Sequence, residues 1–211
     1  EDEIDEFLPP YKPEHAFLDI DQPLAQGIIV PPEYHMEAKY QMQEAMKNAK
    51  KVIKEVNDDF AQTFGRSYGG LIDTYRIEGA ETALVVMGAT TGTARVVVDE
   101  LREKGEKVGM VKLRFFRPFP VEEIKEALKN VKAVGVFDRS ISYGSTGQCF
   151  IETRNALYNS NIPMLNFISG LGGRDIRVVD IKFMFEKIKD MVTNGEPEDN
   201  LIFVNTRGIN G

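Results

Sequence analysis

Cysteine is almost missing from this sequence, because Cys149 is the only one in 211 residues. A disulfide framework, a structural zinc site and an iron–sulfur cluster each need several ligands, so this chain alone cannot build any of them. Both histidines, His15 and His35, fall in the first segment, which disfavours a metal centre of several histidines. This usage fits a reduced intracellular setting. Residues 1–6 are acidic, where a signal peptide would be basic and then apolar, so we expect a cytoplasmic protein.

Long apolar runs and an excess of basic residues are missing as well. The longest apolar runs, such as residues 83–87, are far shorter than the roughly 20 residues that a membrane span needs. The 26 Lys and Arg residues are outnumbered by 33 Asp and Glu residues, which gives a net charge of −7. An acidic chain binds nucleic acid poorly, because neutralisation of phosphates drives that binding. With 42% hydrophobic residues, the composition is that of a globular protein.

Residues 1–74 are predicted to form an extended connector followed by a long helix. Prolines at positions 9, 10, 13, 23, 31 and 32 interrupt the first part, so a regular helix is not expected over most of it. Its apolar side chains suit wrapping of a neighbouring surface: Phe7, Leu8, Tyr11, Phe17 and Leu18. From about residue 33 to 64, apolar residues recur three or four apart, which predicts a helix roughly 45 Å long. Such a helix either bridges domains or subunits or is a simple packing helix.

Residues 75–211 alternate between short apolar runs and amphipathic segments. Strands are predicted at 82–87, 107–113, 133–137, 164–168 and 201–204, and helices at 90–104, 121–130, 148–158 and 180–192. This alternation predicts a three-layer α/β sandwich with a mostly parallel sheet, in which right-handed crossovers place helices on both faces.

Ligands of open parallel sheets bind at the carboxyl ends of the strands, which makes loops 88–93, 114–120, 138–147 and 169–175 candidate sites. Loop 88–93 opens a helix, where backbone amides favour anions. It lacks the lysine of a Walker loop, so a plain helix cap by Thr90 or Thr91 is the favoured interpretation.

Loop 114–120 contains two prolines and three phenylalanines. We expect these side chains to be buried against another domain or subunit, with Arg114 and Arg117 at the rim. A clamp of these two arginines on a carboxylate or phosphate is the alternative.

Loop 138–147 begins with Asp138 and Arg139, directly after a strand. Its serines lack a base, because no histidine exists in this half of the chain, so a serine hydrolase is disfavoured. Cys149 follows the loop near a helix start. A small core residue is the favoured interpretation, and a reactive thiol at the helix N-terminus is the alternative.

Loop 169–175 is rich in glycine and resembles a dinucleotide fingerprint only superficially. We expect unusual dihedral angles or a close backbone contact at Gly172 and Gly173. Arg174 and Asp175 are expected to brace the loop by pairing with each other or with a neighbouring chain. The residues alone therefore predict no catalytic group and no metal site, only candidate interface or cleft residues: Arg114, Arg117, Asp138, Arg139, Gly172, Gly173, Arg174 and Asp175.

The order of these motifs resembles a known family. The motifs are Phe-Phe-Arg-Pro-Phe-Pro at 115–120, Val-Phe-Asp-Arg at 136–139 with Gly-Ser-Thr-Gly at 144–147, and Gly-Leu-Gly-Gly-Arg-Asp at 170–175. Segments 7–11, 88–94 and 99–105 fit the same pattern. Together they are similar to the alpha subunits of 2-oxoacid:ferredoxin oxidoreductases, in particular pyruvate synthases, over nearly the whole chain.

This resemblance implies a transketolase C-terminal-like domain behind a connector. A larger N-terminal domain, with the family's cofactor glutamate, is then expected upstream, in line with the missing initiator Met. The implied reaction is oxidative decarboxylation of pyruvate with coenzyme A, using thiamine diphosphate with Mg and iron–sulfur clusters of the whole complex. This segment is expected to bind none of them alone. The implied partners are other subunits of a hetero-oligomer, with coenzyme A and ferredoxin reached through the complex.

Two alternatives remain open. One is a stand-alone module that binds a nucleotide or coenzyme A at loop 88–93. The other is a subunit of a thiamine enzyme that acts on another 2-oxoacid.

Overall fold

A computed structural model describes residues 2–12, 20–21, 23–24, 27 and 29–208. The chain divides into two compact units, Glu1–Gly70 and Leu71–Gly211. Part of the predicted wrapping segment, including Phe17 and Leu18, lies outside the described residues.

The first unit contains the long helix that the apolar spacing predicts. This helix, α2 (Pro32–Phe64), follows α1 (Asp2–Phe7). Pro32 occupies its first position, where a missing N–H costs nothing, and the amide of Gly65 (φ +66°) donates to the Ala61 carbonyl at its end. None of the residues of α2 is buried. Its proposed bridging role stays a prediction.

The expectation of an extended segment is wrong for the start of the chain, where α1 forms. The prolines begin only at Pro9, so the residues before it are free to form a helical turn. Phe7, at the end of α1, packs edge-on against Phe60 and Phe64 of α2, with ring centroids 5.7 and 5.5 Å away. This contact secures the segment against the long helix.

The second unit is built on a six-stranded sheet. The strands are β1 (Ile72–Tyr75), β2 (Thr82–Met87), β3 (Val108–Leu113), β4 (Ala133–Asp138), β5 (Met164–Ile168) and β6 (Leu201–Phe203). Their order is β1-β3-β2-β4-β5-β6, and only β1 is antiparallel to its neighbour. The five predicted strands are confirmed, and β1 was not predicted.

Helices cover both faces of this sheet, which confirms the three-layer α/β architecture. The helices are α3 (Thr90–Glu103), α4 (Val121–Leu128), α5 (Gln148–Ala156) and α6 (Val178–Asn194). One core lies between the sheet and α3 with α6, and the other between the sheet and α4 with α5. The central strands are buried on both faces and therefore read as continuous apolar runs. Among the described residues, no helix is both long and apolar enough to cross a membrane.

The crossover from β5 to β6 runs through α6, which lies on the face of the sheet opposite to the one that a right-handed connection requires. The steps from β4 to β5 and from β5 to β6 run in the same direction across the sheet, yet α5 and α6 pack on opposite faces. These two crossovers therefore have opposite hands, and the expectation of uniformly right-handed connections cannot hold for both. Because α6 starts on the far face, the segment between Ile168 and Val178 passes over the carboxyl edge of the sheet.

Strand register brings the candidate loops to one edge. Asp138, the last residue of β4, lies opposite Ile168, the last residue of β5, and Ile168 lies opposite Phe203 of β6. Met87 and Leu113 are paired in the same way at the ends of β2 and β3. All four candidate loops therefore leave from the carboxyl edge.

Candidate functional site

A buried carboxylate lies at the centre of the carboxyl edge. Asp138 is only 4% exposed, and its two oxygens accept hydrogen bonds from the amides of Cys149 (2.8 Å) and Phe150 (3.1 Å). The side-chain amide of Asn166 donates a third bond at 3.0 Å. Burial raises the pKa of Asp138, and these three hydrogen bonds oppose the increase.

Asn166 links this carboxylate to the loop that follows it. Its oxygen accepts the amide of Gly147 at 2.7 Å, and its nitrogen also donates to the Val136 carbonyl at 3.1 Å. Sequence reasoning missed Asn166, although one polar residue within the apolar strand Met164–Ile168 was a signal that could have found it. The network therefore joins β4, β5 and the start of α5.

The geometry gives Asp138 a structural role. The first amides of a helix have no hydrogen-bond acceptor within the helix. The N-cap residue of α5 is Gly147, which has no side chain that could accept from them. Asp138 supplies acceptors from a neighbouring strand, in the position where a negative charge complements the helix dipole. Because its oxygens are occupied and buried, the carboxylate is not available as a general base.

Cys149 is a core residue in the structure, as the sequence indicates. It is 1% exposed, and burial, followed by the nearby charge of Asp138, raises the pKa of its thiol to about 12. A thiol with this pKa stays protonated at neutral pH and is a poor nucleophile.

We expect Cys149 to react with a thiol reagent such as Ellman's reagent only after unfolding. A shift of the pKa from 9.0 to about 12 lowers the thiolate fraction about a thousandfold, and burial blocks access as well. Stopped-flow absorbance in buffer and in guanidinium chloride measures the two rates, and Cys149→Ser provides the blank. Comparable rates in both solvents would contradict the burial of this thiol.

Arg139 and Arg174 are anchored to backbone carbonyls of neighbouring loops. The Arg139 guanidinium donates to the Gly170 carbonyl at 3.4 Å, and that of Arg174 donates to the Asn205 carbonyl at 2.5 Å. The side chain of Asn205 donates in turn to the Asp175 carbonyl at 3.3 Å. Pairing of Arg174 with Asp175 is therefore a wrong expectation, because the arginine braces the loop against the segment after β6. Pairing with a neighbouring chain stays a prediction.

The two glycines of loop 169–175 adopt the dihedral angles that the sequence predicts. Gly172 and Gly173 have φ angles of +63° and +83°, within a short 3₁₀ turn (Leu171–Gly173). Residues with a Cβ rarely adopt this region. These glycines therefore allow the chain to turn over the carboxyl edge towards α6.

Loop 114–120 packs largely on its own domain. Phe119 is buried and meets Phe116 edge-on, with centroids 6.2 Å apart, whereas Phe116 is half-buried. The expected burial against another domain or subunit is therefore wrong for Phe119. Arg117 stacks over the Phe116 ring (4.3 Å) and pairs with Glu152 at 2.5 Å. This ion pair neutralises Arg117, which disfavours the two-arginine clamp with the half-buried Arg114.

Comparison with known proteins shows which family this sequence resembles. The model of the pyruvate:ferredoxin oxidoreductase core domain II matches residues 80–181. Pyruvate synthase subunit PorA of Methanocaldococcus jannaschii is 45% identical over 188 residues, which are 88% of this chain and 48% of that protein. Ketoisovalerate oxidoreductase subunit VorA of Pyrococcus horikoshii is 43% identical over 195 residues, 92% of this chain and 50% of that protein.

The chain belongs to the 2-oxoacid:ferredoxin oxidoreductase alpha-subunit family. The predicted resemblance is confirmed. The chain spans about half the length of the curated relatives it matches. A solved 2-oxoglutarate:ferredoxin oxidoreductase from Magnetococcus marinus is also similar, with a TM-score of 0.45 and 16% identity over 59% of this chain and 20% of that one.

The part matched by the oxidoreductase core-domain model contains the whole buried network. Asp138, Gly147 and Asn166 all fall within residues 80–181. Loop 169–175 also falls within this region, whereas β6 and Asn205 lie beyond it.

In loop 88–93, the side chains of Thr90 and Thr91 are buried, whereas Gly88, Ala89 and Gly92 are exposed. The predicted cap is wrong, because the N-cap residue of α3 is Ala89 and the hydroxyl of Thr91 donates to the Gly88 carbonyl at 2.7 Å. The amides of Thr91 and Gly92 donate to the carbonyls of Gly88 (3.2 Å) and Ala89 (3.0 Å). These groups are therefore not available to a phosphate, which disfavours a nucleotide- or coenzyme A-binding module at this loop.

Two cavities of the second unit lie at the opposite, amino edge of the sheet. One, of about 480 Å³, lies between the starts of β2 and β3 and the ends of α3 and α6. The other, of about 530 Å³, lies between the ends of α4 and α5. In the first, Glu81 accepts hydrogen bonds from Lys107 and Lys132, both at 2.9 Å, which lower the pKa of its carboxyl. Each oxygen of Glu81 is thus engaged in an ion pair with a different lysine, which gives this carboxylate a structural role.

Proposed function

We propose that this chain is part of the alpha subunit of an enzyme that oxidatively decarboxylates pyruvate with coenzyme A. The products are acetyl-CoA, carbon dioxide and reduced ferredoxin. The observation that carries the proposal is the high identity, over most of the chain, to proteins named pyruvate synthase subunit PorA. The similarity to proteins named ketoisovalerate oxidoreductase subunit VorA supports the alternative, a branched-chain 2-oxoacid substrate.

The cofactors of such an enzyme are assigned to other parts of the complex. Thiamine diphosphate with Mg would supply the decarboxylation chemistry and iron–sulfur clusters would supply the electron acceptors, all of them held by residues outside this segment. A cluster needs several cysteine ligands, and the one cysteine of this chain does not fit that requirement. Within the described parts of the chain, no group of three or more His, Cys, Asp or Glu side chains is placed to hold a metal ion.

The role proposed for this segment is structural and assembly-related. Its sheet presents loops 114–120, 138–147 and 169–175 on one rigid edge, and the buried Asp138–Asn166 pair fixes the second loop relative to α5. These loops then pack against partner domains or subunits and support the active-site cleft of a cytoplasmic hetero-oligomer. The division into a connector (1–74) and a transketolase C-terminal-like domain (75–211) is part of the same proposal.

Dye reduction tests this assignment. Purified residues 1–211 are expected to show no pyruvate-dependent reduction of a viologen dye, even with thiamine diphosphate, Mg and coenzyme A, because the reactive groups are supplied by other parts. The complete complex is expected to reduce the dye and to have a higher kcat/KM for pyruvate than for 2-ketoisovalerate. Turnover by residues 1–211 alone would refute the structural role. Selectivity for 2-ketoisovalerate would support the alternative substrate.

A further inference from the structure

Three arginines of the carboxyl edge carry charges that no carboxylate of the described residues neutralises. They are Arg139, Arg174 and Arg207, which form no ion pair within the described part of the second unit. Five other arginines of this unit are paired with Asp or Glu: Arg76, Arg95, Arg117, Arg154 and Arg177. The edge therefore exposes three arginines without an ion-pair partner among the described residues, beside the one exposed carboxylate of Asp175, in a chain whose net charge is −7.

These arginines follow three strands that are neighbours in the sheet. Arg139 follows β4, Arg174 follows β5, and Arg207 follows β6, and these strands are adjacent in the sheet. Arg139 directly follows the last residue of β4, whereas Arg174 and Arg207 lie in the loops beyond Ile168 and Phe203, the last residues of β5 and β6. Arg139 and Arg174 each donate to a carbonyl of the next loop, that of Gly170 or Asn205. Because these contacts hold them in place, less side-chain entropy is lost when they bind a partner.

Exposed apolar side chains belong to the same two loops. Tyr143, between β4 and α5, is 91% exposed, and Leu171, between β5 and α6, is 41% exposed. Tyrosine and arginine are enriched in protein–protein interfaces and among the residues that contribute most to binding. The combination fits a macromolecular surface that offers both carboxylates and apolar contacts.

We propose that this arginine edge (Arg139, Arg174 and Arg207, with Tyr143 and Leu171) docks a carboxylate-rich surface of another polypeptide of the same assembly. The inference rests on the proposed function, because it takes the partner from the same enzyme complex. Guanidinium groups bind carboxylates in a bidentate manner, which gives geometric specificity. A nucleic acid partner is disfavoured by the acidic chain as a whole.

Cross-linking within the assembled complex tests the docking. Arg139→Lys and Arg174→Lys keep the charge and add an amine, which a carbodiimide couples directly to a carboxylate in contact. Mass spectrometry is expected to find positions 139 and 174 linked to Asp or Glu of another polypeptide. Arg154→Lys, at the far end of α5, is the matched control and is expected to link at most to Glu196 of its own chain. Absence of inter-chain links at both edge positions would overturn the proposal.

Loss of charge provides an independent measurement. The triple variant Arg139→Gln, Arg174→Gln, Arg207→Gln is expected to associate with its partner subunits about tenfold more slowly at low ionic strength. The difference should vanish as added salt screens the charges. Normal association with a raised KM for coenzyme A would show a small-ligand site instead and overturn the docking. A wild-type complex without 2-oxoacid-dependent dye reduction would refute the proposed function. The cross-linking result could still be interpreted, because it reports contact and does not depend on activity.

Discussion

Replacing Asp138 with alanine is expected to lower the free energy of unfolding of this chain by about 4 kcal/mol. The substitution leaves three buried N–H donors without an acceptor: the amides of Cys149 and Phe150 and the side chain of Asn166. Each unsatisfied buried donor costs about 1–3 kcal/mol. The start of α5 also loses the negative charge that complements its dipole. Guanidinium denaturation followed by circular dichroism measures the change.

Two further variants serve as controls. Asp138→Asn removes the charge but keeps the shape, and Asp175→Ala tests whether any loss of a carboxylate at this edge lowers stability. Asp138→Asn keeps the side-chain volume and one acceptor but places an NH2 group opposite donors, so a loss of about 2 kcal/mol is expected. Asp175→Ala removes an exposed carboxylate from the same edge and is expected to stay within about 0.5 kcal/mol of the wild type. A stability of Asp138→Ala equal to that of Asp175→Ala would refute the structural role of the buried carboxylate.

The raised pKa of Asp138 sets the sign of its pH dependence. Burial favours the neutral carboxyl in the folded state, so its folded pKa lies above its ordinary value of 3.8 in an unfolded chain. The stability linked to this proton is fully present below that value and is lost as the pH rises through the folded pKa. The difference between wild type and Asp138→Asn is therefore expected to be larger in acid and to level off above the folded pKa.

The main strands could be predicted from sequence because each is a short apolar run buried on both faces. The strand β1 could not, because Ile72–Tyr75 has only four residues and mixes polar with apolar side chains. Its pairing with β3 depends on residues more than 30 positions away. Asp138 was a candidate because it ends a strand, but its burial depends on contacts with α5 and Asn166 that no local pattern contains. The sequence located this residue and could not assign its role.

The anchors of the arginines were beyond sequence reasoning for the same reason. Arg174 was expected to pair with its neighbour Asp175, the nearest opposite charge in the chain. Instead it reaches the Asn205 carbonyl, 31 positions away, because β6 lies beside β5 at the edge of the sheet. The glycines of this loop could be predicted, because left-handed dihedral angles are a local property of Gly172 and Gly173.

Replacing Gly147 with alanine is expected to destabilise the chain by about 3 kcal/mol, because the new methyl group would overlap the buried carboxylate. A Cβ at this position would lie 2.2 Å from Cγ and 2.3 Å from Oδ2 of Asp138. Asp138 cannot simply rotate away, since three hydrogen bonds hold it, so the overlap costs about as much as the most severe overpacking in a core. Gly92→Ala is the matched control: it has open space at the same edge and is expected to be neutral or slightly stabilising.

A double-mutant cycle shows whether the strain is located at Asp138. In the Asp138→Ala background the Cγ and Oδ2 atoms are gone, and only the Cβ, at 2.5 Å, still overlaps the new methyl group. The double variant Asp138→Ala, Gly147→Ala is therefore expected to be more stable than the sum of the two single losses predicts, by about 1 kcal/mol or more. Chemical denaturation of the four proteins gives this coupling energy. Additive losses would place the cost of Gly147→Ala elsewhere than in its contact with the buried carboxylate.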